Sequence, residues 1–146
     1  MSFEKWEAYL VHARHCYEDC QSECISAQNA VFLALTAGEL IMKTLYYKHI
    51  PEGHVEGHLD RRLSGTICHQ LNIRPPQDIV EAIRRVEGHY KASRYPEETT
   101  KYFCCLAEQA ACQHYPEALS SILADVDIIY SWAEELIFHS SPNSEV

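Results

Sequence analysis

Apolar residues recur along this chain at spacings of three and four positions, the pattern typical of helices that bury one face. From Phe3 to about Cys24 they form one helical stripe, and Ser2 is available as the N-cap. From Ala27 to about Lys48 they cover most of the circumference, which predicts a helix buried on several sides. Gly38 lies inside this second helix and predicts a close crossing with another helix.

Three further main helices follow, separated by breaks that contain proline and glycine. A short third helix is predicted from about His58 to Gln70. A fourth begins at about Gln77 and continues to an Arg-Tyr-Pro corner at residues 94–96, which ends it. Pro116 is well placed as the first residue of a last helix, which runs to about Phe138.

These elements predict an all-α fold, a single up-and-down bundle of about five main helices. The bundle is expected to span residues 1–138, followed by a polar tail at residues 139–146. Residues 99–113 permit a sixth helix, although their apolar pattern is less regular. The sequence contains no strand pattern and no internal repeat. A chain of 146 residues with 47% hydrophobic composition suits one compact domain.

The sequence predicts a cytoplasmic protein. Glu39, Lys43 and Lys48 interrupt its most apolar stretch, so no membrane-spanning helix is expected. The N-terminus alternates charged and aromatic residues and lacks the apolar core of a signal peptide. Without such a signal, the seven cysteines are interpreted as reduced thiols rather than as a disulfide framework.

The charge of the chain limits its partners. Twelve Lys and Arg residues face 21 Asp and Glu residues, which gives a formal net charge of −9. A protein that grips nucleic acid through its phosphates needs a positive surface, so stable nucleic-acid binding is not expected. A small anionic ligand remains compatible with this charge, because one local cationic pocket is enough to bind it.

Two motifs stand out within the helical pattern. Residues 90–96 read Tyr-Lys-Ala-Ser-Arg-Tyr-Pro, a Tyr-x3-Arg-Tyr-Pro corner at the end of the fourth helix. Residues 36–43 of the second helix read Thr-Ala-Gly-Glu-Leu-Ile-Met-Lys, which places Glu39 and Lys43 one turn apart. A His-Leu pair, His58-Leu59, stands at the predicted start of the third helix.

Along roughly Trp6 to Leu136, the chain resembles the HEPN superfamily, the "higher eukaryotes and prokaryotes nucleotide-binding" domains, and its non-ribonuclease branch in particular. That branch has a Gln-Ala-Ala-Glu-Lys-x-x-Lys-like pattern in helix two, of which this chain keeps Glu39 and Lys43. It also has a His-Leu-like start to helix three and the same Tyr-x3-Arg-Tyr-Pro corner. The resemblance implies a small helical bundle, usually dimeric. Some members are thought to bind nucleotides at the dimer, and others are ribonuclease toxins or their relatives, often paired with a small nucleotidyltransferase.

The candidate ligand-binding residues are cations near these motifs, because an Arg fork or a Lys ammonium suits phosphate oxygens. Alternatives without a ligand stay open. Arg94 can cap helix four and pair with Glu97, and Lys43 can extend from a buried helix with its ammonium in water. The candidates for nucleotide or anion binding are Lys43, Lys48, His58 and Arg94.

Ribonuclease members of the family carry Arg-x4–6-His, in which His moves protons and Arg stabilises the phosphorane across a dimer. Arg84 and His89 have this bare spacing, and so do Arg62 and His69. However, Arg85 stands where the family has a polar amide or imidazole, and His89 lies just upstream of the corner instead of at the toxins' position. Metal-independent RNA cleavage by Arg84 and His89 is therefore the alternative, and not the main hypothesis.

A zinc hypothesis arises from His12, Cys16, Cys20 and Cys24, which recur at every fourth position of the predicted first helix. Each step of four residues drifts by about 40°, so the four side chains span about 120° and only neighbouring pairs can share an ion. Buried cysteine usually behaves as a small apolar residue. Neither a metal site nor a cofactor is therefore expected.

Together these observations predict a HEPN-like binding module, more a recognition domain than an enzyme. It is expected to form a homodimer through exposed apolar residues, with Trp6 and Trp132 as candidates. Weak nucleotide or anion recognition is expected near Arg94 and Lys43. The alternatives are a ribonuclease toxin of a toxin–antitoxin pair, and a purely structural partner of a nucleotidyltransferase-type protein.

Overall fold

The structure, a computed structural model, describes residues 4–90 and 114–139, with side chains for 4–90 and 119–139. These ranges contain five α-helices and no strand, which confirms the predicted all-α bundle. The helices are α1 (Lys5–Asp19), α2 (Ala27–His49), α3 (Arg61–Leu71), α4 (Gln77–Val86) and α5 (His114–Phe138).

Helix α2 is the centre of the bundle, as its apolar pattern predicted. It packs against α1, α3 and α5, and α4 closes the bundle by packing on α5 and α3. Ile41, Met42 and Leu45 of α2 are completely buried. By length and composition alone α2 could cross a membrane, but 67% of its most apolar window is buried against the rest of the chain. Such burial is expected of the core helix of a bundle.

The ends of α1 differ from the prediction because local side chains decide them. The helix begins at Lys5, where Glu4 is the N-cap in a reciprocal capping box with Glu7. It ends at Asp19 instead of continuing to about Cys24. In the segment that follows, the Ser22 hydroxyl accepts a hydrogen bond from the Cys24 N–H at 3.1 Å. Such local bonds compete with the helical hydrogen bonds, so the chain turns before α2 begins.

Helix α3 begins three residues later than predicted. The Asp60 carboxylate accepts a hydrogen bond from the Leu63 N–H at 2.7 Å and caps the helix at Arg61. His58 and Leu59 therefore lie in the segment before α3. Leu59 contacts Gly38 so closely that a Cβ on Gly38 would lie 2.5 Å from the Leu59 Cδ2. The close approach predicted at Gly38 is thus made by this segment and not by a crossing helix.

Helix α4 ends at Val86, and a turn at Glu87–Gly88 separates it from the helical residues His89 and Tyr90. Glycine is a poor helix former, which explains why the fourth helix does not continue straight to the Arg-Tyr-Pro corner. The corner beyond Tyr90, the possible sixth helix at 99–113 and the tail from residue 140 lie outside the described residues. Helix α5 begins at His114, so Pro116 lies within its first turn instead of starting it.

Candidate functional site

A mostly buried ion pair lies on one face of α2. The Lys43 Nζ is 2.8 Å from the Glu39 Oε2, and the two side chains are only 12% and 15% exposed. The four-residue spacing places both side chains on the same face of the helix. The alternative in which Lys43 extends its ammonium into water is therefore wrong, because the ammonium is bound and mostly buried.

The second oxygen of the Glu39 carboxylate reaches the segment before α3. Its Oε1 lies 3.0 Å from the Nδ1 of His58. An ionised carboxylate only accepts hydrogen bonds, so Nδ1 carries the proton and Nε2 is the ring nitrogen left for a ligand. The His58 ring also stacks on Tyr90, with centroids 3.7 Å apart and planes at 17°. We call Glu39, Lys43, His58 and Tyr90 the Glu39 network.

The contacts of neighbouring residues fix His58 in this position. Leu59 is buried to 2% exposure and lies against Gly38, the residue next to Glu39. Asp60 is held by its hydrogen bond to the start of α3. Because the chain is anchored on the C-terminal side of His58, the imidazole stays near α2 while its side chain remains 49% exposed. The network thus joins a buried ion pair to an accessible ring.

Beside the network, an open groove of about 480 Å³ lies between the segment before α3 and the first turns of that helix. We call it the α3 groove. Its volume is in the range of small-ligand sites, about 300–1,000 Å³. The polar residues that line it are His54, Glu56, His58, Asp60, Arg62 and Thr66.

Lys48, although also predicted as a ligand residue, lies apart from the Glu39 network. Its ammonium donates a hydrogen bond to the carbonyl oxygen of Ile137, in the last turn of α5. It also lies 5.2 Å from the ring centroid of Trp6 and 5.6 Å from that of Phe138. A cation at a helix C-terminus interacts favourably with the helix dipole, so this contact stabilises the junction of α2 and α5. Arg94 lies outside the described residues, four positions after Tyr90.

The two residues of the alternative ribonuclease hypothesis have different environments. Arg84 is exposed on α4, and its guanidinium makes no hydrogen bond or ion pair with any described residue. His89 follows the turn after α4 and is half-buried. Burial lowers the pKa of His89, while the negative charge of Asp125 acts in the opposite direction. Such a His is held in the neutral form that can accept a proton.

Arg85, the neighbour of Arg84, belongs to the packing of α4 on α5. It forms a bidentate pair with the buried carboxylate of Asp125, with N–O distances of 2.9 and 3.0 Å. The hydrogen bonds and the charge of Asp125 raise the pKa of Arg85 above its ordinary value. Both partners therefore have a structural role in joining the two helices.

The four cysteines in the described ranges are free thiols, and three of them, Cys16, Cys20 and Cys68, lie in surroundings that disfavour the thiolate. Burial is the main cause that raises the pKa of Cys16, and it raises the pKa of Cys20 and of Cys68 to about 11 each. At neutral pH these thiols are protonated, whereas nucleophiles and metal ligands are thiolates. Within residues 4–90 and 119–139, no group of three or more His, Cys, Asp or Glu side chains is placed to hold a metal ion.

The predicted dimer contacts need a correction. Trp6 and Trp132 are half-buried and pack against the core instead of lying open on the surface. In the part of the chain that the structure describes, the large apolar side chains that remain exposed are Val11, Ile128 and Phe138.

Two features of this region were not predicted from the sequence. Glu39 was noted as part of a motif but not as the residue that bridges Lys43 and His58. Its spacing of four from Lys43 could have predicted the contact with Lys43, but not the contact with His58. Arg62 and Thr66 were not connected with His58, because the position of α3 relative to α2 cannot be inferred from periodicity.

The comparisons with known proteins agree with this architecture. The family model described as "HEPN domain" matches residues 2–136. No curated protein and no solved structure matches the chain. The match covers nearly the whole chain, including helices α1 to α4, all but the last two residues of α5, and the Glu39 network. The chain belongs to the HEPN domain family.

Proposed function

We propose that this HEPN domain is a binding module that recognises a nucleotide, or a related anion, at the Glu39 network. The observation that carries the proposal is the Glu39 bridge, which joins the mostly buried ammonium of Lys43 to the accessible imidazole of His58. Three separate motifs of the sequence supply this network: the helix-two pattern, the His-Leu pair and the first residue of the Tyr-x3-Arg-Tyr-Pro corner.

The roles of the predicted residues can be divided on this basis. Glu39 already neutralises Lys43, so Lys43 orients the network instead of binding the ligand through an unpaired charge. His58 is the member open to a ligand, and its stacked ring offers both a hydrogen bond and an aromatic face. Arg94 would supply the cationic fork, because it follows Tyr90 by four residues. Lys48 is not included, since it caps α5.

Weak recognition is what this site supports. The chain has a formal net charge of −9, which repels anions at long range, and one Arg with one His gives few charge-assisted hydrogen bonds. We further propose that the module forms a homodimer through its exposed apolar residues. Sedimentation equilibrium of the purified chain tests the dimer, and Phe138→Asp should weaken it if α5 contributes to the interface.

Isothermal titration calorimetry with ATP and GTP tests the binding function. Saturable heat is expected for the wild-type chain. Arg94→Ala and His58→Ala should each weaken binding by about tenfold or more, the usual value of a charge-assisted hydrogen bond. Arg74→Ala is the matched control, because Arg74 is exposed between α3 and α4 and does not line the α3 groove. Flat titrations would contradict the proposal and leave a structural role beside a nucleotidyltransferase-type partner.

A second candidate function is metal-independent RNA cleavage. The observation that favours it is the exposed guanidinium of Arg84, which has no partner within residues 4–90 and 119–139. The neutral imidazole of His89 would take the proton from the attacking hydroxyl and return it to the leaving oxygen, and Arg84 would stabilise the negative charge that develops on the phosphoryl oxygens. RNA incubated with the protein in excess chelator should then be cut, and Arg84→Ala should abolish cleavage. Intact RNA would exclude this function.

A further inference from the structure

The α3 groove contains one guanidinium, that of Arg62, which has no partner among the described residues. Arg62 and Thr66 are both exposed and lie one helical turn apart, so they share one face of α3. Arg62 makes no hydrogen bond or ion pair with any residue in 4–90 or 119–139. Its neighbour Arg61 is different, because its Nε lies 2.6 and 2.8 Å from the two carboxylate oxygens of Glu87.

The acidic groups of the same groove already have partners. The Oε1 of Glu56 lies 3.2 Å from the Nε2 of His54, and Asp60 accepts the N–H of Leu63 as the cap of α3. Each of these carboxylates keeps an acceptor oxygen, and the same wall also contains donors that have no partner among the described residues. These are the guanidinium of Arg62, the hydroxyl of Thr66 and, when the imidazole is protonated, the Nε2 of His58.

Donors arranged in this way fit one class of ligand group. Arg presents a planar fork that matches two oxygens of a phosphate, and a hydroxyl adds a further bond. We infer that the α3 groove binds the phosphate or pyrophosphate group of a ligand, with Arg62 as the principal contact and with Thr66 and His58 as additional donors. The inference deepens the proposed function by placing the phosphate end of the nucleotide, and free pyrophosphate shares the same chemistry.

The first test is calorimetry on the full chain with pyrophosphate, ATP and adenosine, in buffer without divalent cations. Pyrophosphate and ATP should give saturable heat, whereas adenosine, which has no phosphate, should bind much more weakly. Arg62→Gln should weaken the binding of both phosphate compounds by about tenfold or more. Arg74→Gln changes the net charge equally at an exposed position outside the groove and should leave both affinities unchanged.

A second readout locates the ligand without depending on affinity. In a proton NMR titration with pyrophosphate, the ring signals of His58 should shift in the wild-type chain and stay in place in Arg62→Gln. The signals of His12, exposed on α1, provide the internal reference. Because Arg62 and Thr66 are exposed, their substitution should not unfold the chain, and circular dichroism checks this. Thr66→Val should reduce the affinity less than Arg62→Gln, since it removes one neutral donor.

The outcomes separate this inference from the proposed function. If Arg62→Gln binds pyrophosphate and ATP as tightly as the wild type, the inference is overturned, even where Arg94→Ala shows that nucleotides bind. If pyrophosphate binds through Arg62 but ATP binds no more tightly than pyrophosphate, the phosphate site stands and nucleotide recognition fails. Absence of heat with every compound, together with unmoved His58 signals, overturns both.

Discussion

The two faces of α2 differ in what they contribute to the molecule. Ile41 and Leu45 lie on one face and are completely buried. Glu39 and Lys43 lie two positions away, about 200° around the helix. They form an ion pair that leaves 12–15% of each side chain exposed and reaches His58. The central, most buried helix of the bundle therefore also carries the candidate site. A site on such an element is positioned more precisely than a site on a loop.

The apolar face should account for more of the stability than the polar face. Ile41→Ala removes a side chain with 0% exposure and should lower the free energy of unfolding by about 2–5 kcal/mol, because it leaves a cavity. Urea denaturation measures the loss. Ile128→Ala is the matched control, since Ile128 is 38% exposed on α5 and its loss should be much smaller. Equal losses at the two positions would contradict the central place of α2.

A substitution on the polar face should cause the next largest loss of stability. Glu39→Ala leaves the mostly buried ammonium of Lys43 without its carboxylate, which should cost about 2–3 kcal/mol of unfolding free energy. It should also weaken ligand binding, because the Nδ1 of His58 loses the group that orients it. Denaturation and calorimetry on the same preparation measure both effects.

A double-mutant cycle shows whether the pair itself is responsible. Lys43→Met in the Glu39→Ala background removes the unpaired charge and should restore most of the lost stability, but not the ligand affinity. Glu39→Gln, which keeps the shape and one acceptor oxygen, should be less harmful than Glu39→Ala. If Lys43→Met brings no recovery, the ammonium is not the source of the loss.

Substitutions where α2 contacts the segment before α3 should lower the stability less. Gly38→Leu places a side chain where Leu59 now lies, which should cost about 1–3 kcal/mol and move His58 away from Glu39. Gly65→Ala is the contrast, because a Cβ there meets no atom within 4 Å on the exposed side of α3. It should raise the stability by about 0.5–1 kcal/mol. A harmless Gly38→Leu would show that Leu59 does not hold His58 in place.

The same contrast explains how far the sequence could predict this structure. Periodicity indicated the five helices and the burial of α2, because it records which faces avoid water. It did not indicate helix ends such as that of α3, which depends on the hydrogen bond of one carboxylate at Asp60. The motifs pointed to Lys43 and His58, and the structure shows that both contact Glu39. The bridge between them through Glu39 joins residues 19 positions apart, and Lys48 finds its partner 89 positions away. Such long-range contacts follow from how the helices pack, and the spacing of apolar residues along the sequence does not indicate them.

The smallest expected effect is on the pH dependence of stability, and it concerns the partly buried His49 at the end of α2. Burial, with the charge of Lys48 as a second cause, lowers the pKa of His49 below its ordinary value of 6.5. The Nε2 of His49 is buried and has no hydrogen-bond partner in the described part of the chain. As the pH falls below the unfolded value, the unfolded chain binds a proton before the folded chain does, so stability is lost.

His49→Gln should therefore make the unfolding free energy less sensitive to pH between 7.5 and 5.5. The difference should be under about 1 kcal/mol, because the side chain is only partly buried and water screens the charge. Urea denaturation at both pH values measures it, with His12→Gln on the exposed face of α1 as the background for the change of residue type. A variant that loses stability on acidification as steeply as the wild type would show that the proton is taken up elsewhere. Half-buried His89, whose pKa is also lowered by burial, would then be the next residue to replace.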